Sequence, residues 1–405
     1  MIAQGASSRY SYTVVILASN LAASLASMLG YRSMARDVII VGGGVIGCSI
    51  AWRLAQAGLK VTVFERGRVG CEASRAAAGM LSPQGESQTA GPFFDLCLRS
   101  RAMYRSFAEE LNDASGIDVE YKDEGTLFVV LQGEDDQQKT RWATWQQEAG
   151  LPLEHVSADD IRKIEPAVTE SATRAIFLPQ EHQVESRRLM DALEVAMKRV
   201  GVELIEGVEV TALATDHGKV TGVVSAGRRL DADVVVVAAG TWSSPLLEPI
   251  GLNVKVIPAR GQMIAVRGRR RPLNRVLHSS KIYLVPRRDG RILIGATVEY
   301  AGFLKAITVG AMKHLLSAAV ELAPSLREFE IVETWCGLRP DTLDHLPIMG
   351  PSGVNNLLLA TGHFRNGILL APITADLVSD VIVTGSVSSE LEPFSADRFA
   401  AKNAG

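Results

Sequence analysis

Gly42, Gly44 and Gly47 stand in the order G-x-G-x-x-G and are the first residues of the chain whose types and spacing could do chemistry. Glycine at the first position permits a tight turn, at the second it lets backbone approach a pyrophosphate, and at the third it lets a helix pack closely on a strand. A helix that starts there turns unpaired amides and a favourable dipole toward phosphates. Glu65 follows Gly47 by 18 residues (65 − 47), close to the roughly 20 expected of an acid that grips a ribose 2′-hydroxyl. Together these residues point to an adenine dinucleotide, and the spacing alone does not say which one.

The elements needed to position them are legible on either side. Val38 to Val41 is an apolar strand, a helix-compatible segment runs to about Ala57 where Gly58 stops it, and Val61 to Phe64 is a second strand ending on Glu65. The loop Arg66 to Ala78 is polar and small, and its AAAGM end (Ala76 to Met80) lets backbone run close to a planar ligand. Asp233 to Gly240 and Asn356 to Ala360 are nearly continuous apolar runs, as parallel strands buried on both faces are. Phe93 to Gly116, Arg141 to Ala149 and Ser186 to Val200 read as helices, Ser157 opens a short one, and Ile368 to Ile382 is the last, after the loop Gly362 to Gly367. Gly133 to Gln138 reads as a charged loop, and Lys281 to Thr297 as a hairpin turning at Asp289-Gly290.

This order predicts an α/β protein, α+β overall, in which a Rossmann-like dinucleotide domain is interleaved with a substrate domain on a mixed, largely antiparallel sheet. Strands near 38, 61, 203, 235 and 358 belong to the first, and strands near 127, 262, 283, 293 and 333 to the second. The expected boundaries are 34–90, 155–248 and 337–398 for the dinucleotide domain, and 91–154 and 249–336 for the substrate domain.

Composition limits the function. Hydrophobic residues at 47% and charged ones at 21% describe a globular chain, and a net charge of −3 gives no footprint for nucleic acid. Cys48, Cys71, Cys97 and Cys336 are scattered with no C-x-x-C, so neither a metal site nor a redox dithiol is expected, and a cytoplasmic, reducing location fits. Residues 1–33 read as a leader, disordered or ahead of the native start at Met34. Tyr10 to Tyr31 is uncharged, but Asn20 and several serines dilute it, so a membrane anchor is not expected.

Six stretches then carry a resemblance: Gly42 to Gly47, Ser74 to Met80, Val234 to Ser243, Tyr283 to Arg287, Gly337 to Pro340 and Gly362 to Pro372. In this order they resemble the glycine/D-amino-acid oxidase family of flavoenzymes, over about Asp37 to Arg398, and within it the glycine oxidases of thiamine biosynthesis. The resemblance implies FAD. It places Val45 and Ile46 with Gly42, Gly44 and Gly47 at the pyrophosphate, and Glu65 and Arg66 at the adenosine ribose. Val210 would meet the adenine through its backbone, while Ala73, Ser74, Ala78, Gly79 and Met80 would run toward the isoalloxazine. Gly240 joins this set, and His363, Phe364, Arg365, Asn366, Gly367, Ile368 and Leu369 would wrap the flavin pyrimidine at a helix start.

For substrate, the resemblance makes Arg339 the group that grips an amino-acid carboxylate, with a hydroxyl from Tyr283 and a second arginine at Arg365. A planar guanidinium suits that task because it holds a carboxylate by two parallel bonds. Away from these motifs Arg339 reads rather as a buried ion pair and Tyr283 as a core tyrosine. The implied reaction is oxidative deamination of glycine, sarcosine or small D-amino acids by oxygen, to glyoxylate, ammonia and hydrogen peroxide, with the imine supplying thiazole formation. The implied assembly is a homo-oligomer such as a tetramer. Val298 and Lys281 depart from the family pattern and are expected near the pocket, whereas Cys336 reads as a small core residue. A membrane-tethered dehydrogenase using a quinone and a non-catalytic flavin-binding subunit are the rival readings.

Overall fold

The computed structural model describes residues 36–403 apart from 88, 135, 270 and 271, so the expectations for the leader and for Met34 lie outside the described residues. Strand Asp37–Val41, helix Val45–Gln56 and strand Lys60–Glu65 form the expected β-α-β unit. Asp37–Val41 pairs in parallel with Lys60–Glu65 on one side and Val234–Val237 on the other, so that Val41 lies between Phe64 and Val237. Glu203–Glu206 and Leu357–Thr361 extend the sheet in parallel, and Ile348–Pro351, a strand that pattern did not predict, closes the edge antiparallel.

Alternation along these strands sorts residues to the two faces. Val38 and Ile40 join a core with the helices Val45–Gln56, Pro92–Ser115, Ser186–Arg199 and Gly367–Thr384, around Trp52, Tyr104, Phe107 and Ile373. Ile39, Val41, Val235 and Val237 face the other way, onto a three-stranded meander of Val210–Asp216, Lys219–Ser225 and Arg228–Asp231. Among the described residues, Gly367–Thr384 is the one helix long and apolar enough to cross a membrane, and it is a core helix with Ile368 to Ala375 buried.

The second sheet has eight strands, in the order Glu330–Asp341, Ile257–Arg267, Arg291–Gly295, Tyr283–Pro286, Val276–His278, Thr126–Leu131, Ala172–Leu178 and Glu154–Ser157. It is antiparallel except where Val276–His278 meets Thr126–Leu131. All five expected strands lie in it. Glu154–Ser157 and Ala172–Leu178 join as well, although most of that stretch falls in the 155–248 segment expected of the dinucleotide domain. They do so because Thr126–Leu131 has a free edge that the Ala172–Leu178 strand pairs along its length.

Two local differences have plain causes. The helix expected at Arg141 begins at Asp136, inside the expected charged loop, because glutamine and lysine are good helix formers however polar the stretch. Gly337 to Pro340, which opens the 337–398 segment expected of the dinucleotide domain, instead ends the 12-residue strand Glu330–Asp341, which pairs with Ile257–Arg267, Arg339 opposite Ala259. That pairing carries Arg339 to the junction of the two sheets' residues.

Candidate active site

A cavity of about 420 Å³ lies at the carboxyl ends of the parallel strands, lined by Val41, Phe64, Glu65, Ala238 and Ala360, and reaches across to Tyr283 and Arg339 of the second sheet. This is where open α/β sheets bind ligands. Gly42 has φ +114°, and a β-carbon there would stand 2.8 Å from the Ala238 carbonyl carbon. One at Gly47 would stand under 3.0 Å from the Gly42 carbonyl, so only glycine lets the helix seat on its strand. A β-carbon at Gly44 meets only Ser74 Oγ, at 3.3 Å, leaving this turn open. The Val45 amide donates to Ser74 Oγ at 2.9 Å, which ties the helix start to the neighbouring loop.

Glu65 is buried, and its carboxylate accepts from the amides of Gly43 and Gly67, each at 2.8 Å. It braces both loops of this end while each oxygen keeps a further lone pair. Arg66 stacks 3.6 Å above the ring of Trp242 and pairs with Glu72 at 3.4 Å. Trp242 was not singled out for the site, and nothing local could reveal it, since the contact spans elements distant in the chain. Val210, Gly240 and Thr241 complete the lining there.

The stretch Ala73 to Met80, expected as loop but opening with the short helix Ala73–Ala76, forms one long wall. Gly79 has φ +73° and no room for a side chain beside the Val184 carbonyl. The buried Arg287 guanidinium donates to that carbonyl at 2.9 Å and to the Ala78 carbonyl, and burial pulls its pKa down to about 10. Arg287 is therefore a brace behind the loop. His363 to Ile368 form the facing wall, where the Phe364 amide donates to the Pro340 carbonyl at 2.8 Å and joins this turn to the Arg339 strand. Burial pushes His363 down to about 3, so its imidazole is neutral, with Nε2 3.1 Å from Thr374 Oγ1.

At the far end Tyr283, Arg339 and Arg365 come together with Glu86, Met263, Ala296 and Val298. Arg339 Nη1 donates to the Thr297 carbonyl at 3.0 Å, and the Tyr283 hydroxyl donates to Met263 Sδ at 3.3 Å. Burial raises the Tyr283 phenol, opposed by Arg339 and Arg365, and so keeps it a donor. Burial also lowers Arg339, with Arg365 adding to the effect. Arg365 Nη2 donates to Glu86 Oε1 at 2.8 Å, and Glu86 is the main reason its pKa is raised. Glycines make room: a β-carbon at Gly261 would stand 2.5 Å from Arg339 Cζ, and one at Gly295 2.5 Å from Tyr283 Cε2.

Twenty-one of the residues expected at the site line this cavity: Gly42, Gly44, Val45, Ile46, Glu65, Arg66, Ala73, Ser74, Ala78, Gly79, Met80, Val210, Gly240, Tyr283, Arg339, His363, Phe364, Arg365, Asn366, Gly367 and Ile368. Gly47 and Leu369 do not. Gly47 is packed against its own turn, and Leu369 points into the helical core, its carbonyl accepting from Ser100 Oγ at 2.6 Å. Val298 is at the cavity as expected, but Lys281 is not, because its ammonium pairs with Glu321 at 2.6 Å on the outer surface. Cys336 is half-buried and off the cavity.

The family described as FAD dependent oxidoreductase matches residues 37–381. The bifunctional protein ThiO/ThiG of Synechocystis sp. is 40% identical over 370 residues, 90% of this chain and 54% of that protein, so the chain spans about half the length of such curated relatives. Glycine oxidase of Bacillus licheniformis is 35% identical over 364 residues, 89% of this chain and 97% of that one. The solved structure of glycine oxidase from Geobacillus kaustophilus superposes with a TM-score of 0.86 at 35% identity, covering 90% of this chain and 99% of that one.

Proposed function

The chain belongs to the FAD-dependent oxidoreductase family, and from that premise we propose that it oxidises glycine, with sarcosine and small D-amino acids as further substrates, using oxygen as acceptor. The observation that carries the reading is a half-buried guanidinium and a buried phenol, Arg339 and Tyr283, at one end of a cavity otherwise shaped for a dinucleotide. The residues fit FAD. Gly44 leaves the phosphate turn open, Thr241 Oγ1 is a buried hydroxyl at the cavity with no protein partner, and the first amides of Val45–Gln56 and Gly367–Thr384 both begin at the lining. FAD, when bound, would supply the acceptor for the Cα hydrogen and its electron pair and return both electrons to oxygen as hydrogen peroxide, while water would hydrolyse the resulting imine to glyoxylate and ammonia.

The protein's own contribution is placement. Arg339 takes the substrate carboxylate in its planar fork, and its bond to the Thr297 carbonyl sets the direction of that fork. Tyr283 turns its hydroxyl from the weak sulfur acceptor of Met263 to the carboxylate. Met263, Ala296 and Val298 line the cavity beside this pair, and because one methylene is worth only about 1–3 kcal/mol of discrimination, sarcosine and D-alanine compete with glycine. No side chain is assigned as the base for the substrate ammonium: the neutral His363 keeps Nε2 on Thr374.

On the strength of the resemblance, the imine feeds thiazole formation in thiamine biosynthesis and the enzyme assembles as a homo-oligomer. A cytoplasmic location is supported by four cysteines that are all free. The test is a peroxide assay of FAD-loaded protein with glycine, sarcosine and small D-amino acids. Peroxide from glycine supports the reading; a flavin that stays oxidised under anaerobic glycine and sarcosine refutes it.

A further inference from the structure

We propose that Glu86 restricts this site to substrates with a single carboxylate by cancelling one of its two guanidinium charges. The inference rests on the amino-acid oxidase reading above. Arg339 and Arg365 line the same end of the cavity, one from the strand Glu330–Asp341 and one from the turn before Gly367–Thr384. Two free guanidinium groups would make a site for a dianion. Instead Arg365 Nη2 donates to Glu86 Oε1 at 2.8 Å, with Glu86 shielded at 16% exposure and Arg365, at 36%, open to solvent on one side. The three charges sum to +1, the complement of one carboxylate.

Glu86 is held in place by more than this pair. It ends the short helix Pro83–Glu86, which is fastened by buried polar groups. The Gln84 amide donates to Glu181 Oε1 at 2.9 Å, and the Gln84 side chain donates to Gln146 Oε1 at 3.0 Å and the Pro152 carbonyl at 3.2 Å. Gln84, Gln146 and Glu181 are at most 1% exposed. Gly85 has no room for a β-carbon, which would stand 2.5 Å from Phe128 Cζ. A carboxylate fixed so firmly opposes any second carboxylate that a substrate brings, and specificity then comes from a built repulsion as much as from attraction.

The test compares glycine with iminodiacetate, which keeps the same Cα and carries a second carboxylate in a carboxymethyl group on nitrogen, on FAD-loaded wild type, Glu86→Gln, Arg365→Gln and the double variant. Glu86→Gln is expected to raise the ratio of kcat/KM for iminodiacetate over glycine by at least about tenfold, since Arg365 becomes a second fork. Arg365→Gln alone is expected to raise KM for glycine by about tenfold by leaving Glu86 uncompensated. The double variant should return the ratio toward that of wild type. A ratio that stays constant while both substrates weaken together overturns the proposal and leaves a merely structural ion pair. Should Glu86→Gln fail to take up FAD, competitive inhibition of the wild type decides: malonate no tighter than acetate supports the proposal, and malonate about tenfold tighter overturns it. Wild type that leaves glycine unoxidised refutes the oxidase reading itself, a separate outcome.

Discussion

Gly261→Ala separates substrate binding from everything else the fold does. Gly261 sits on Ile257–Arg267 two residues from Ala259, the partner of Arg339, so it is a diagonal neighbour on the same face. An added β-carbon would stand 2.5 Å from Arg339 Cζ, where ordinary contact begins at 3.4 Å. The guanidinium must therefore withdraw by about 1 Å, and a misplacement of that size costs on the order of 10²-fold in rate. This corresponds to about 2.7 kcal/mol, within the range of one hydrogen bond to a charged group. The atoms displaced are the flexible end of a side chain, and Gly261 has no left-handed φ, so the fold should lose less than about 1 kcal/mol. Steady-state peroxide assays should show kcat/KM for glycine reduced about 10²-fold, mostly through KM, with flavin content and melting temperature near wild type. Gly337→Ala is the contrast, because its β-carbon would stand 2.7 Å from Ala76 Cβ on the cofactor wall and should lower FAD affinity. Unchanged glycine kinetics in flavin-replete Gly261→Ala would refute the placement of Arg339 as the carboxylate clamp.

Arg339→Ala should raise KM for glycine by at least 10²-fold while flavin content, read from the absorbance ratio, stays near one per chain. Glu65→Ala removes the acceptor of the Gly43 and Gly67 amides, so FAD titration should show affinity weakened by at least tenfold and the melting temperature should fall, each stranded amide costing about 1–3 kcal/mol. Glu181 is pushed up to about 7 by burial from its ordinary 4.5. Between those pH values the unfolded chain has lost the proton that the folded chain retains, so stability falls as pH rises, by up to ~3 kcal/mol at pH 7 and above. Glu181→Gln should abolish that decline, and parallel denaturation curves of both proteins from pH 4.5 to 8 check it; the two curves diverging toward low pH would be the wrong sign.

Much was written locally. A strand buried on both faces must be apolar throughout, a helix seated on a strand needs Gly47, and the αL residue that ends Pro92–Ser115 must be something like Gly116, whose φ is +76°. The dinucleotide turn, five parallel strands, the hairpin at Asp289-Gly290 and the cavity residues carried by the motifs were therefore open to reading from the chain. The pairing of Arg365 with Glu86 across 279 residues, the stacking of Arg66 on Trp242, and the space that Gly261 leaves for Arg339 were not. Neither was the withdrawal of Lys281 to Glu321, nor the recruitment of Glu154–Ser157 and Ala172–Leu178 to the second sheet. Periodicity and turn chemistry act over a few residues and settle which element forms, whereas a charge partner or a cleared volume depends on which elements packing brings together.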